Sequence, residues 1–183
     1  MNVLTNVSYF LIDTLFSLYI AIVMIRLLLG LARADFYNPF SQFVVTATNP
    51  LIVPLRRLLP PLGKIDSAAL VLLIALKLVQ ISLLLLLKGQ APAFLPIIGY
   101  VIKELLVLAV YVYMFAIIIQ AVMSWVNPTA SLTGNPLGAL LSSLTRPIVE
   151  PLSRIVPRMG MIDLSPLAAL ILLQIVLIVI RSF

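Results

Sequence analysis

The chain contains no cysteine and no histidine among its 183 residues. Without cysteine there is no disulfide, no thiolate nucleophile and no thiolate-bound zinc or iron–sulfur cluster. Without histidine the usual general base and the commonest metal ligand are missing. Acidic groups are also scarce, with six Asp and Glu against twelve Lys and Arg. These absences disfavour most enzyme classes, and we expect no catalytic residue, no metal and no cofactor.

What the chain does contain is apolar surface. Hydrophobic residues make up 63% of the sequence and charged residues 10%, whereas charged residues make up about 25% of an ordinary soluble domain. Eighteen charged side chains cannot give a chain of this length a polar skin. The lipid bilayer must therefore solvate much of the surface.

Four apolar runs are candidate membrane spans, at 9–31, 68–88, 98–126 and 166–181, and the last is short and is expected to begin earlier, near Asp163. A helix rises 1.5 Å per residue, so about 20 residues cross a hydrocarbon core of about 30 Å. No Lys or Arg precedes the first run and no small-residue cleavage site follows it, which predicts a retained span instead of a signal peptide. The predicted fold class is all-α integral membrane, with four transmembrane helices.

Basic residues are unevenly distributed between the connections, and this predicts the orientation of the spans. The connections 32–67 and 127–165 lie on one side of a four-span chain and carry seven Lys and Arg: Arg33, Arg56, Arg57, Lys64, Arg146, Arg154 and Arg158. The other side has three: Lys88, Lys103 and Arg181. Both long connections are predicted to be cytoplasmic, in a multi-pass membrane protein.

The sequence repeats itself at a fixed shift of 97 residues. Between 38 and 70, twelve of 33 positions are identical to the position 97 residues later, including four prolines, a glycine and two charged residues. The predicted units are 1–88 and 89–183, each a helical hairpin of two spans. An even number of spans per unit makes the repeat parallel, with both units inserted the same way up.

Each long connection begins with the same helix-start signal. Asn38 is placed as an N-cap with Pro39 at the first helical position, and Asn135 and Pro136 repeat the pair. Apolar residues follow at i, i+3, i+4 and i+7, which predicts a short amphipathic helix on the cytoplasmic face.

Prolines are dense in the second part of each connection. The segments 49–63 and 146–160 place prolines no more than six residues apart. A proline removes a backbone donor and disrupts a helix interior, so we expect the helix to stop and short apolar pieces to follow. Four arginines in these segments are predicted to reach lipid phosphates: Arg56, Arg57, Arg154 and Arg158.

The repeated motif NP(x)10-PxxxPLxR(x)2-P(x)2-GxID, followed by a span, resembles that of the YggT family of small bacterial inner-membrane proteins, also called YlmG. The second copy, GMIDLSPLAALILLQ, is similar to the family pattern, whereas the first reads IDSAAL where the family has ID-x-SP. The resemblance covers nearly the whole chain. It implies four spans and no established enzymatic activity. It also implies links to osmotic tolerance and ion uptake, to cell division and nucleoid arrangement, and to plastid cytochrome assembly.

Several polar residues fall within the predicted spans. Lys77 lies near the middle of its span, with Gln80 one turn further along the same face, and Gln174 is the counterpart of Lys77 in the second unit. A lone cation at this depth costs about 2.5 to 3.5 kcal/mol, so it should face protein or water. These three residues either stabilise the bundle or form a functional polar centre.

Other charged residues have simpler interpretations. Asp66 and Asp163 precede spans, where a carboxylate caps a helix, and we expect them to pair with Arg57 and Arg154. Recognition of a partner is the alternative. Three further expectations rest on depth alone: Arg26 extends to headgroups, Asp13 pairs with Lys103, and Glu104 pairs with Lys88 or Lys103.

Two functions remain open. The first is a membrane-organising or assembly factor that contacts anionic lipid headgroups, unidentified membrane proteins or a second copy of itself, in osmotic stress tolerance, cell division or complex assembly. The alternative is an ion-transport or channel component built around the polar centre. Direct haem handling is disfavoured because histidine and cysteine are absent. Basic residues are too sparse for a nucleic-acid site.

Overall fold

The computed structural model describes residues 3–60, 63, 65–91, 94–126, 135–156 and 163–182, and the regular structure in these ranges is helical. There are six helices in chain order: α1 Val3–Leu31, α2 Pro39–Leu58, α3 Ser67–Leu87, α4 Phe94–Val126, α5 Pro136–Ser153 and α6 Ser165–Ser182.

Four of these helices contain segments long and apolar enough to cross a membrane: Val3–Leu31, Ser67–Leu87, Pro96–Ser124 and Ser165–Ser182. They confirm the four predicted runs. The first begins six residues earlier than predicted, because Val3, Leu4 and Val7 extend the apolar stretch by more than one turn. The other two helices, α2 and α5, occupy the long connections.

The helices pack in two groups of three. In the first group α1, α2 and α3 contact one another, and in the second group α4, α5 and α6 do the same. The groups meet where α4 packs against α3 and α1, and where α5 packs against α2 and α1. The largest apolar core lies at this junction and includes Ile20, Leu29, Ile52, Leu73 and Val101.

Both predicted helix starts in the connections are confirmed. The Asn38 side chain accepts a hydrogen bond from the Phe40 N–H at 2.9 Å, and that of Asn135 accepts one from the Leu137 N–H at 3.0 Å. Proline follows at the first helical position in each case, where its missing N–H would have no intrahelical partner.

The expectation that prolines end these helices is wrong. Helix α2 continues through Pro50 and Pro54, and α5 continues through Pro147 and Pro151. All four prolines are exposed. Other residues of both helices are buried, so tertiary packing compensates for the donors that the prolines remove.

One buried threonine in each half fastens the connecting helix to a spanning helix. Thr48 and Thr145 occupy equivalent positions at the shift of 97 residues and are almost fully buried. Each hydroxyl bonds to the carbonyl four residues earlier, at 2.6 Å for Thr48 and 2.9 Å for Thr145. Thr48 also accepts a hydrogen bond from Arg26 of α1, and Thr145 donates one to Gln120 of α4.

Depth alone predicted that Arg26 extends to headgroups. In the structure its guanidinium is directed toward α2 instead. Arg26 is 6% exposed. Its Nη1 donates to the Val45 carbonyl at 3.2 Å, to Thr48 Oγ1 at 2.5 Å and to Asn49 Oδ1 at 2.9 Å. A guanidinium that finds three acceptors on a neighbouring helix has no need to extend to the membrane surface.

The two connecting helices also touch each other. The Asn38 side chain donates from Nδ2 to the Pro136 carbonyl at 2.5 Å. Helices α2 and α5 consequently lie at the same end of the bundle.

Arg26→Met should lower the free energy of unfolding in detergent micelles by about 2 to 3 kcal/mol, because the substitution leaves buried acceptors on α2 without a donor. Thermal unfolding followed by circular dichroism measures the change. The exposed Arg57→Met serves as the control and should shift stability by less than about 0.5 kcal/mol. Equal losses in the two variants would contradict the role of Arg26.

Candidate functional site

Lys77 on α3 faces Glu104 on α4. The Lys77 Nζ lies 3.8 Å from Glu104 Oε2, and the two side chains are 16% and 34% exposed. Lys77 is ten residues from the start of its helix, about 15 Å along the axis at 1.5 Å per residue. The pair therefore neutralises a cation near the middle of the span.

The partners proposed for Glu104 on the basis of depth are not the observed ones. Lys88 lies over the ring of Tyr9, 4.9 Å from its centroid, and Lys103 donates from Nζ to the Arg181 carbonyl at 3.0 Å. Depth predicts the height of a side chain in the membrane. It does not predict the side of the helix on which the residue lies.

Gln80 joins α3 to α1. Its side chain is 1% exposed, and its Nε2 donates to Asp13 Oδ1 at 2.9 Å and to Ser17 Oγ at 2.9 Å. The predicted pairing of Asp13 with Lys103 is thus replaced by Asp13 with Gln80. Within the described part of the chain, the buried Gln80 Oε1 has no hydrogen-bond partner.

Gln174 does not join this group. It is exposed on α6, and in the described ranges α6 does not pack against α3. The structure brings Lys77 and Gln80 to the boundary of α1, α3 and α4 and leaves Gln174 at the periphery of the bundle.

A cavity of about 180 Å³ opens beside the Lys77–Glu104 pair, enough for several water molecules. It lies between α1, α3 and α4 and is lined by Ser17, Ile20, Lys77, Glu104, Val107, Leu108 and Tyr111. The Tyr111 hydroxyl accepts a hydrogen bond from Arg181 at 2.6 Å. Polar side chains therefore occur at several points between the centre of α3 and the last turn of α6.

Asp66 directly precedes α3 and has the predicted capping role. Its Oδ1 accepts from the Ala69 N–H at 3.3 Å, and its carboxylate pairs with Arg56, not with Arg57 as predicted. Burial raises the pKa of the Asp66 carboxyl, but hydrogen bonds from Arg56 and from the Ala69 N–H outweigh burial and lower the pKa below its usual value. Arg57 is exposed in the last turn of α2.

The second half arranges its charges differently. Arg154 was predicted to pair with Asp163 and instead pairs with Glu150 at 3.0 Å, as does Arg146. Hydrogen bonds from both arginines hold the pKa of the Glu150 carboxyl below its usual value. Asp163 Oδ1 accepts from the Ser165 N–H at 2.9 Å, at the start of α6. Arg158 lies outside the described residues.

Helix α2 carries an exposed apolar stripe. Phe40, Phe43, Leu51 and Leu58 are between 42% and 78% exposed, and their intervals of three, eight and seven residues put them on one side of a helix. The buried side holds Ser41, Val44, Thr48 and Ile52. In α5, by contrast, the counterparts of Phe43 and Ala47 are Leu140 and Leu144, which are buried in the central core.

The sequence analysis missed the contacts of Arg26, Thr48, Gln120 and Thr145. The repeat offered a signal, since Thr48 and Thr145 are both identical at the shift of 97 and both stand two residues before a proline. A hydroxyl at the same position of two amphipathic helices indicates a shared buried contact.

These features define the class as a multi-pass, all-helical protein with four apolar helices able to cross a membrane. The chain belongs to the CCB3/YggT family, whose profile matches residues 5–87 and 99–183. No solved structure matches the chain significantly.

Relatives align over most of the chain. YggT of Escherichia coli K12 is 40% identical over 177 residues, 96% of this chain and 88% of that protein. A Vibrio alginolyticus protein from the region 3′ of proC is 39% identical over 171 residues, 92% of this chain and 90% of that protein. A Pseudomonas aeruginosa protein is 38% identical over 181 residues, 94% of this chain and 87% of that protein. All three are described only as uncharacterized proteins.

A double-mutant cycle tests the embedded ion pair. Lys77→Met and Glu104→Gln should each cost about 1 to 3 kcal/mol, because each leaves one charged partner uncompensated, and the double variant should cost less than the sum. Unfolding in micelles gives the three values. The exposed pair Arg146 and Glu150 is the control and should show little coupling, because solvent screens exposed charges. Additive losses at Lys77 and Glu104 would contradict the pairing.

Asp66→Ala should destabilise the protein by about 1 kcal/mol at neutral pH through loss of the helix cap. Because the folded-state pKa of Asp66 is lowered, its charge stabilises the fold above the unfolded pKa, and this contribution disappears as pH falls through the folded pKa. Asp66→Asn keeps a capping oxygen without the charge. The stability gap between wild type and Asp66→Asn should therefore narrow on acidification, and a gap unchanged at low pH would refute the assignment.

Proposed function

We propose that the chain is a non-enzymatic scaffold of the bacterial inner membrane that organises or assembles membrane components from its cytoplasmic face. In this proposal the halves are two copies of one unit inserted the same way up, with α2 and α5 as amphipathic helices at the cytoplasmic interface. The contact between Asn38 and the Pro136 carbonyl supports a common face. The excess of Lys and Arg in both connections supports the cytoplasmic side.

The observation that carries the proposal is the exposed side of α2. Phe40, Phe43, Leu51 and Leu58 form an apolar stripe, while the exposed Arg57 projects from the last turn of the same helix. A helix with an apolar side and nearby arginines suits the boundary between acyl chains and headgroups. The buried side of α2 is fixed to α1 through Thr48, so the helix presents a rigid surface.

A cavity on the side of α2 away from this stripe suits an anionic headgroup. It has a volume of about 380 Å³ and is lined by Arg26, Phe36, Gln42, Val45, Thr46 and Arg56. Arg26 bonds to acceptors on α2 and Arg56 pairs with Asp66, so these three groups together leave one net positive charge that complements a phosphate. Anionic phospholipid is therefore part of the proposed working surface, together with membrane proteins that contact the exposed arginines of α2 and α5.

Ion transport is the second candidate, and one arrangement favours it. The Lys77–Glu104 pair and the adjacent cavity place polar groups near the middle of the spans, as does Gln80 Oε1, which has no partner among the described residues. Embedded ionisable residues often mark ion or proton pathways. Glu104 offsets the positive charge that would otherwise repel a permeating cation.

The scaffold is tested by affinity capture after mild crosslinking in native membranes. Arg57→Ala and Arg154→Ala should deplete specific partners from the captured set, because they remove exposed charges without touching the core. Lys88→Ala is the matched control and should leave the captured set unchanged. Lys88 lies at the end of α3 that is opposite to Asp66 and α2. A set unaltered by Arg57→Ala and Arg154→Ala would limit these arginines to lipid anchoring and contradict the scaffold.

The transport candidate is tested with purified protein in liposomes. If the protein is a scaffold, the potassium or proton flux measured with entrapped fluorescent indicators should not exceed that of empty vesicles. A flux abolished by Lys77→Leu and retained in Arg57→Ala would favour transport over the scaffold.

A further inference from the structure

Among the described residues, one contact between the halves has no counterpart at the shift of 97 residues. Helix α3 of the first half packs against α4 of the second. At the shift of 97 residues, the counterparts of α3 and α4 are α6 and α1. In the described part of the bundle α6 and α1 do not pack against each other. Each therefore has an unpartnered side equivalent to one that is buried inside the chain.

Burial along α1 and α4 shows which side is unpartnered. Val101 on α4 is completely buried in the central core, whereas its counterpart on α1, Leu4, is 79% exposed. Glu104 on α4 pairs with Lys77, whereas its counterpart on α1 is the exposed Val7. The exposed side of α1 continues through Leu11 and Thr14.

Helix α6 has the complementary unpartnered side. Ile74 of α3 packs against the core, whereas its counterpart Ile171 is 56% exposed. Lys77 is paired with Glu104, whereas its counterpart Gln174 is exposed. An amide turned toward acyl chains loses the hydrogen bonds it would make in water, so polar residues of spans favour helix–helix contacts.

The chain also offers a polar partner for Gln174 at the equivalent place. Tyr111 on α4 lines the cavity beside Lys77. Its counterpart on α1 is Thr14, whose side chain is exposed within the first span. In an equivalent helix–helix contact, Thr14 would lie beside Gln174, in the position that Tyr111 has beside Lys77. A threonine hydroxyl can both donate to and accept from an amide.

We propose that a second copy of this chain covers these surfaces, with α6 of one copy packed on α1 of the other and Gln174 hydrogen-bonded to Thr14. The contact repeats the α3–α4 packing between molecules, and it rests on the two-unit organisation described under Proposed function. When both copies engage, the two identical contacts close a dimer with its twofold axis along the membrane normal.

Cysteine crosslinking tests the contact directly, because the native sequence has no cysteine. Gln174→Cys and Thr14→Cys are placed in two differently tagged chains that are co-expressed and oxidised in native membranes. We expect a disulfide-linked dimer carrying both tags. Ile118→Cys, exposed on α4, replaces Thr14→Cys in the control and should give no dimer.

The outcomes of the crosslinking distinguish the proposed α6–α1 contact from other contacts. A dimer from Gln174→Cys alone would indicate an α6–α6 contact and overturn the proposal, as would equal crosslinking to Ile118→Cys or none to Thr14→Cys. The coupling between Lys77 and Glu104 verifies the template contact within the chain, and additive losses in that double-mutant cycle also overturn the proposal. Partner capture is scored separately, so loss of the scaffold and loss of the dimer are distinguishable.

Dimerisation measured by single-molecule photobleaching in lipid bilayers provides a second readout. Gln174→Leu should weaken association about eightfold, because the closed dimer loses two interhelical hydrogen bonds in the membrane. Thr14→Val should have the same effect, and the double variant should be no weaker than either single one. Unchanged association in Gln174→Leu would contradict the proposed hydrogen bond.

Discussion

The buried hydrogen bonds of Thr48 and Thr145 fix the position of the helices that lie between the spans. Each threonine bonds back into its own helix and across to a polar group of a spanning helix, Arg26 in one half and Gln120 in the other. Without these contacts, α2 and α5 would be proline-containing helices held mainly by nonspecific apolar packing. With them, the buried side of each helix is specified and the exposed side is determined as a consequence.

The two halves differ most where the polar groups of the spans lie. Lys77, Gln80 and Asp13 have Gln174, Leu177 and Val110 as counterparts at the shift of 97 residues. The polar cluster is thus a single site between α1, α3 and α4, and not one of a symmetric pair. Under the proposed duplication, the sequence of the connecting motif was retained in both copies, whereas the polar residues of the spans diverged.

Local signals and hydropathy predicted much of this fold. The four spans follow from apolar length, and the caps at Asn38, Asn135 and Asp66 follow from side chains that satisfy nearby backbone donors. The continuation of α2 through Pro50 and Pro54 could not be predicted, because it depends on burial of Thr48 and Ile52 against other helices. The same limit applies to charge pairs, because depth in a membrane does not specify the direction in which a side chain projects.

Helices α2 and α5 lie at the same end of the bundle and make equivalent threonine contacts, and we propose that this end faces the cytoplasm. Single cysteines at Gln42 and Arg146, both exposed on these helices, can be labelled with an impermeant maleimide in right-side-out and inverted vesicles. The account predicts that both positions are labelled from the cytoplasmic side only. Labelling of the two positions from opposite sides would contradict it.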